Sequence, residues 1–156
     1  MVRKAVPGSD AYLTALTWLS ARELSESQIR TRLRRREFNP DDIDAAIGRL
    51  KADGTLNDAR VAMALGRMES SIKTRGRARV MQKIRQAGID ADTAEDAVRR
   101  VFEDVDEEDL LARALERRLR GAAISDLDDK ARARIIRGLV GQGFSFDAVL
   151  KKLRVR

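Results

Sequence analysis

The chain contains no cysteine and no histidine among its 156 residues. The first absence excludes a disulfide framework and thiolate chemistry. The second removes the commonest metal ligand and the usual proton shuttle near neutral pH. Aromatic residues make up only 4%, with a single Trp and a single Tyr, so a core must come from Leu, Ile, Val and Ala. No uncharged run approaches the ~18 residues that span a bilayer. The basic opening Met1-Val2-Arg3-Lys4 is not followed by an apolar segment of the secretory type. These absences together predict a soluble, cytoplasmic protein that holds neither a metal nor a cofactor.

What is present is charge. Charged residues reach 37% with a net of +7, yet the signs are mixed and 43% of residues are hydrophobic, which predicts a folded chain. One apolar pattern occurs three times: Ile29-Leu33-Phe38-Ile43-Ile47, Val80-Ile84-Ile89-Ala94-Val98 and Ile135-Leu139-Phe144-Val149-Leu153. A constant offset of 51 relates the first copy to the second, and 55 carries Ile84 and Ile89 to Leu139 and Phe144. Apolar residues kept in register over such distances mark a stacked supersecondary unit.

The local signals are helical. Ser25 and Gln28 form a capping box. Asn39 precedes Pro40, Asp41 and Asp42, an N-cap followed by proline at the first helical position. Gly54, Gly88, Gly121 and Gly143 stand where helices should stop. Caps and period predict helices over 10–22, 26–36, 40–52, 58–73, 77–87, 91–103, 107–120, 127–142 and 146–153, and no sheet. The fold class is all-α: three tandem three-helix repeats forming an elongated, curved array. The expected divisions are a tail over 1–9 and repeats over 10–54, 55–105 and 106–156.

Charge is segregated within each unit. The middle helices carry Arg30, Arg34 and Arg35 in the first unit, Arg75, Arg77, Arg79, Lys83 and Arg85 in the second, and Arg132, Arg134 and Arg137 in the third. The third helices of the first two units open with acids, Asp41, Asp42 and Asp44, then Asp90, Asp92, Glu95 and Asp96, where carboxylates complement the helix dipole. The arginines have two readings. They can solubilise a helix and pair with acids of a neighbour, or line up along a stacked array as a stripe suited to a polyanion or an acidic protein groove.

Enzyme readings fail on chemistry. Asp126-Leu127-Asp128-Asp129 begins like a calcium loop, but Ala131 and Arg137 occupy the positions needing Gly and Glu. The glycines from Gly138 to Gly143 have the wrong order for a dinucleotide fingerprint. Asp106, Glu107, Glu108 and Asp109 read as a solvated helix start. Tyr12 and Trp18 fall on opposite sides of the first helix, so at most one can be buried fully, with core packing the default for Trp18. No catalytic residue is expected.

Several stretches together resemble the RecX regulators of the RecA recombinase. They are Tyr12 to Leu16 with Leu24 to Leu33, the junction Leu50-Lys51-Ala52-Asp53-Gly54-Thr55-Leu56-Asn57-Asp58, the segment Arg75 to Ile89, and the ending Leu139 to Phe146. The similarity spans roughly residues 11–153. One departure is Val61-Ala62, where the family usually places an aromatic; Met63, Leu65 and Met68 are candidates to fill that space. The resemblance implies a monomeric, non-enzymatic regulator that binds in the groove of the RecA filament on DNA. There it limits filament growth, ATP hydrolysis and strand exchange, with low-specificity contact to single- or double-stranded DNA. A direct non-specific DNA binder and a helical scaffold for another acidic protein remain as alternatives.

Overall fold

The computed structural model describes residues 8–154. The opening Met1–Lys4, Pro7 and most of the expected tail lie outside the described residues. Nine α-helices follow one another: α1 Ser9–Ala21, α2 Glu26–Arg35, α3 Pro40–Ala52, α4 Asp58–Arg67, α5 Arg77–Gln86, α6 Ala91–Asp104, α7 Glu107–Leu119, α8 Asp129–Gly141 and α9 Phe146–Leu153. A π-helical turn, Met68–Ile72, extends α4, and a short 3-10 turn, Ile124–Asp126, precedes α8. There is no strand among the described residues.

The boundaries follow from capping chemistry. Asn39 accepts from the Asp42 N–H at 2.8 Å, and the Ser25–Gln28 box is closed in both directions. Asp128 caps α8 through the Ala131 N–H, so this helix starts at Asp129 rather than the expected 127. Gly54, Gly88, Gly121 and Gly143 all adopt positive φ just past a helix end.

The closest helix packing stays within trios: α1 on α3 and α2, α4 on α6 and α5, α7 and α9 on α8. These are the three tandem three-helix units. The chain exposes 10184 Å², well above the roughly 7,900 Å² of a globular monomer of its mass, as an array rather than a ball requires.

Apolar packing divides the molecule differently. One cluster is confined to the first trio and its exit, from Ala11 to Leu56. The other runs without a break from Val61 through the second and third trios to Leu153. Where the family usually places an aromatic, Val61 and Ala62 are themselves buried, and Met63 and Leu65 pack against the cluster to which they belong. Met68 instead lines an open groove of about 540 Å³ with Ile72 and Val101.

Candidate interaction surface

The units meet at two joints built on one plan. In each, the N-terminus of a middle helix docks onto the turn between the second and third helices of the following unit. At the first joint, Ser25 Oγ donates to the Ala87 carbonyl at 2.5 Å, and Ser27 lies where a side chain on Gly88 would point. At the second, the Gly76 N–H donates to the Gln142 carbonyl at 3.0 Å and the Ala78 N–H to the Gly143 carbonyl at 3.3 Å. These residues are equivalent under the offsets of 51 and 55. In both joints an acid at the start of the next unit accepts from the first N–H of the middle helix: Asp58 from Glu26 at 2.8 Å, Glu107 from Arg77 at 3.3 Å. Free N–H groups at a helix start are the natural donors for such a dock.

Each joint opens a groove, and the two differ in chemistry. The first holds about 300 Å³ and is lined by Glu26, Arg30, Arg34, Asp58 and Asp90. Burial raises the Asp58 carboxyl above its ordinary range; the Glu26 N–H opposes this, while the Glu26 and Asp90 charges add to it. Burial also pushes Glu26 up, but hydrogen bonds from Lys51 and Arg30 outweigh it and leave its carboxyl lowered. The second groove holds about 560 Å³ over Ala78, Met81, Leu111, Phe144 and Ala148, with Arg77 and Glu107 at the rim.

The eleven expected binding cations separate into two groups. Arg30 is held by Glu26 at 2.9 Å and Asp44 at 2.6 Å. Arg75 reaches Glu69 at 2.7 Å, a carboxylate only 2% exposed that also takes Lys73 at 2.9 Å. Arg77 lies 3.7 Å from Glu107 and stacks 4.7 Å over Phe102. Arg132 donates to the Leu153 and Ile124 carbonyls. Arg79 bonds only Gln82. By contrast, Arg34, Arg35, Lys83, Arg85, Arg134 and Arg137 enter no ion pair among the described residues, and all but the half-buried Lys83 are exposed.

A strict threefold stripe is absent. Arg34 matches Arg85, and Arg79 matches Arg134, but no position on the middle helices is cationic in all three units. The six cations without an acidic partner fall two to a unit, while the net charge differs between the units. Residues 10–54 balance eight Lys and Arg with eight Asp and Glu, whereas 106–156 carry twelve against nine. In the third unit the one described residue in an ion pair is Glu107, which faces Arg77. On α8, Arg134, Arg137, Val140 and Gly141 share one exposed face at helical spacing.

The two large aromatics are partly buried, and arginines cover both. Arg32 and Arg36 lie 5.6 and 5.9 Å from the Trp18 ring centre, and Arg49 lies 3.9 Å from that of Tyr12. The Tyr12 hydroxyl donates to Asp53, whose acceptance of that bond raises the phenol above its usual range. Sequence reasoning missed these stacks and the pairing of Gly76 with Gly143. The bare N-cap at Gly76 was the available signal for the latter. Among the described residues no group of three or more acids is placed to hold a metal ion, and Asp106 serves as the N-cap of α7.

The fold and this surface define a tandem three-helix protein that carries cations without acidic partners in each of its units. Residues 11–50 match the RecX first three-helix domain. The chain is 31% identical to the regulatory protein RecX of Syntrophotalea carbinolica, over 89% of this chain and 91% of that one. It is 32% identical to the regulatory protein RecX of Thermus thermophilus, over 95% and 93% of the two chains. The crystal structure of RecX from Lactobacillus salivarius superposes with a TM-score of 0.80 at 23% identity, covering 94% of this chain and 96% of that one, a likeness of fold. The chain belongs to the RecX family of regulatory proteins. No helix among the described residues is long and apolar enough to cross a membrane.

Proposed function

We propose that this chain is a non-enzymatic regulator of the RecA recombinase that lies in the groove of the RecA–DNA filament. It inhibits ATP hydrolysis, filament extension and strand exchange, acting as a cytoplasmic monomer without a cofactor. Units over 10–54, 55–105 and 106–156 touch successive positions along the filament, and their linkage raises the local concentration of each for its site. The observation that carries this reading is the set of cations without acidic partners on α5 and α8: Lys83, Arg85, Arg134 and Arg137. Charges left unpaired on a folded surface are available to an acidic partner and steer its encounter.

The test is charge reversal. Lys83→Glu, Arg85→Glu, Arg134→Glu and Arg137→Glu together should weaken inhibition of DNA-dependent ATP hydrolysis by RecA about tenfold or more, equivalent to at least about 1.4 kcal/mol. Helical content should not change. A folded variant that inhibits as well as the parent removes these residues from the interface. Isolated DNA should bind with little sequence preference and a negative slope of log affinity against log salt. Co-sedimentation with DNA alone as tight as with assembled filaments would favour the direct DNA-binding alternative.

A further inference from the structure

The two joints share a backbone plan, yet what holds them is different. We infer that the chain is two rigid bodies, residues 8–56 and 57–154, connected by a charge-held hinge at the first joint.

Three observations carry the inference. First, the apolar clusters part at this point: Leu56 belongs to the first, Val61 to the second, and no buried apolar residue is shared. The second joint has no such break, because Leu111, Phe144 and Val80 are members of one cluster. Secondly, the bonds across the first joint run through side chains. Arg60 pairs with Glu23 at 2.6 Å, both more than two-fifths exposed, Asp58 accepts from Glu26, and Ser25 donates to Ala87. An ion pair that exposed contributes roughly 0–1 kcal/mol and is screened by salt. Thirdly, the equivalent grooves differ as a hinge and a weld should: Arg30 in the first is replaced by Met81 in the second, Ser27 by Ala78 and Asp90 by Ser145. Apolar contact does not weaken with ordinary salt, whereas exposed charge pairs do.

The connecting backbone allows such motion. Leu56 is anchored to the first body by its N–H on the Leu50 carbonyl at 2.9 Å, and the second begins at the Asn57 cap of α4. Besides the bonds just named, the Arg60 guanidinium donates to the Gly54 and Thr55 carbonyls at 3.0 and 2.8 Å, again through an exposed side chain. A hinge here lets the charge-balanced first unit change its angle to the cationic remainder, so the array can follow partners of different pitch.

Distance measurements test this directly. The chain has no cysteine, so paired substitutions give unique spin-label sites. Gly48→Cys and Gly141→Cys place labels where a new side chain meets nothing within 4 Å, and Glu95→Cys lies on an exposed face of α6. The 48/95 pair spans the first joint and the 95/141 pair the second. Between about 0.1 M and about 1 M salt, where the screening length falls from about 10 Å to about 3 Å, the 48/95 distance distribution should broaden about twofold while the 95/141 distribution holds. Arg60→Ala with Asp58→Ala should reproduce the broadening at low salt, with helical content intact by circular dichroism. Two distributions that stay equally narrow, or that broaden together, overturn the hinge.

Discussion

The two joints of this molecule form a comparison made within one chain. Both seat a middle helix on the next unit's turn, at residues equivalent by position, and both use an acid to receive the helix's first N–H. The first is filled with charge and the second with Met81, Leu111 and Phe144. Hydrogen bonds at the start of the middle helix therefore set where units meet, while the side chains around that contact set how firmly they are held. The first unit keeps a core of its own because nothing apolar bridges the joint. The second and third merge because Val80 and Ile84 continue into Leu111 and Leu139.

The comparison can be broken most forcefully at Arg75. Glu69 is buried at the foot of the second joint, beside Thr74, whose carbonyl accepts from Gln142. Arg75→Ala should cost about 3 kcal/mol in chemical denaturation, since it strips one of two cations from a buried carboxylate. A loss below about 1 kcal/mol would mean that Lys73 alone suffices and that the second joint is less tightly specified than its burial implies.

A matched pair of substitutions sharpens the contrast. Gly76→Ala places a methyl group into the Gly143 carbonyl, backbone against backbone, and should destabilise by about 1–3 kcal/mol. At the equivalent place in the first joint, Ser25→Gly removes one buried hydrogen bond and a cap and should cost about 1 kcal/mol. Equal penalties at the two sites would argue that the joints are equally rigid.

The smallest effect concerns the turns themselves. Gly88 and Gly143 have positive φ and are each approached by a preceding unit, whereas Glu37 holds φ 62 at the corresponding place with no unit in front of it. Glycine is thus needed where close approach and the left-handed conformation coincide, and the exposed first turn tolerates a side chain. Glu37→Gly should raise the unfolding free energy measured by chemical denaturation by up to about 1 kcal/mol through relief of left-handed strain. A destabilised variant would show that Glu37 makes contacts that outweigh the strain.

Much of the architecture was legible beforehand. Nine helices and their caps followed from Ser25, Asn39, Pro40 and the terminating glycines, because local capping depends on a few adjacent residues. The turn Ile124–Asp126 and the π-helical turn were not legible. The latter lies inside a segment read as continuous helix, and its register change accompanies the burial of Glu69 and Ser70, a tertiary circumstance. The basic helices were legible as charge but not as geometry. The spacing shows Glu26 one turn before Arg30, but not Asp44, 14 residues on, which completes the clamp, nor that Arg34 one turn later has no acidic partner. Arg75, Arg77 and Arg132 are likewise engaged by groups 6, 30 and 21 residues away in the chain.

The sequence by itself determined the helices, their order, the threefold period and the excess of positive charge, since periodicity and capping act over a few residues and composition needs no fold. Tertiary structure decided which arginines stay free, that two of three units share one core, and that one joint is charged and the other apolar. Those outcomes depend on which side chains meet after the units stack, and the meeting partners are far apart in the chain.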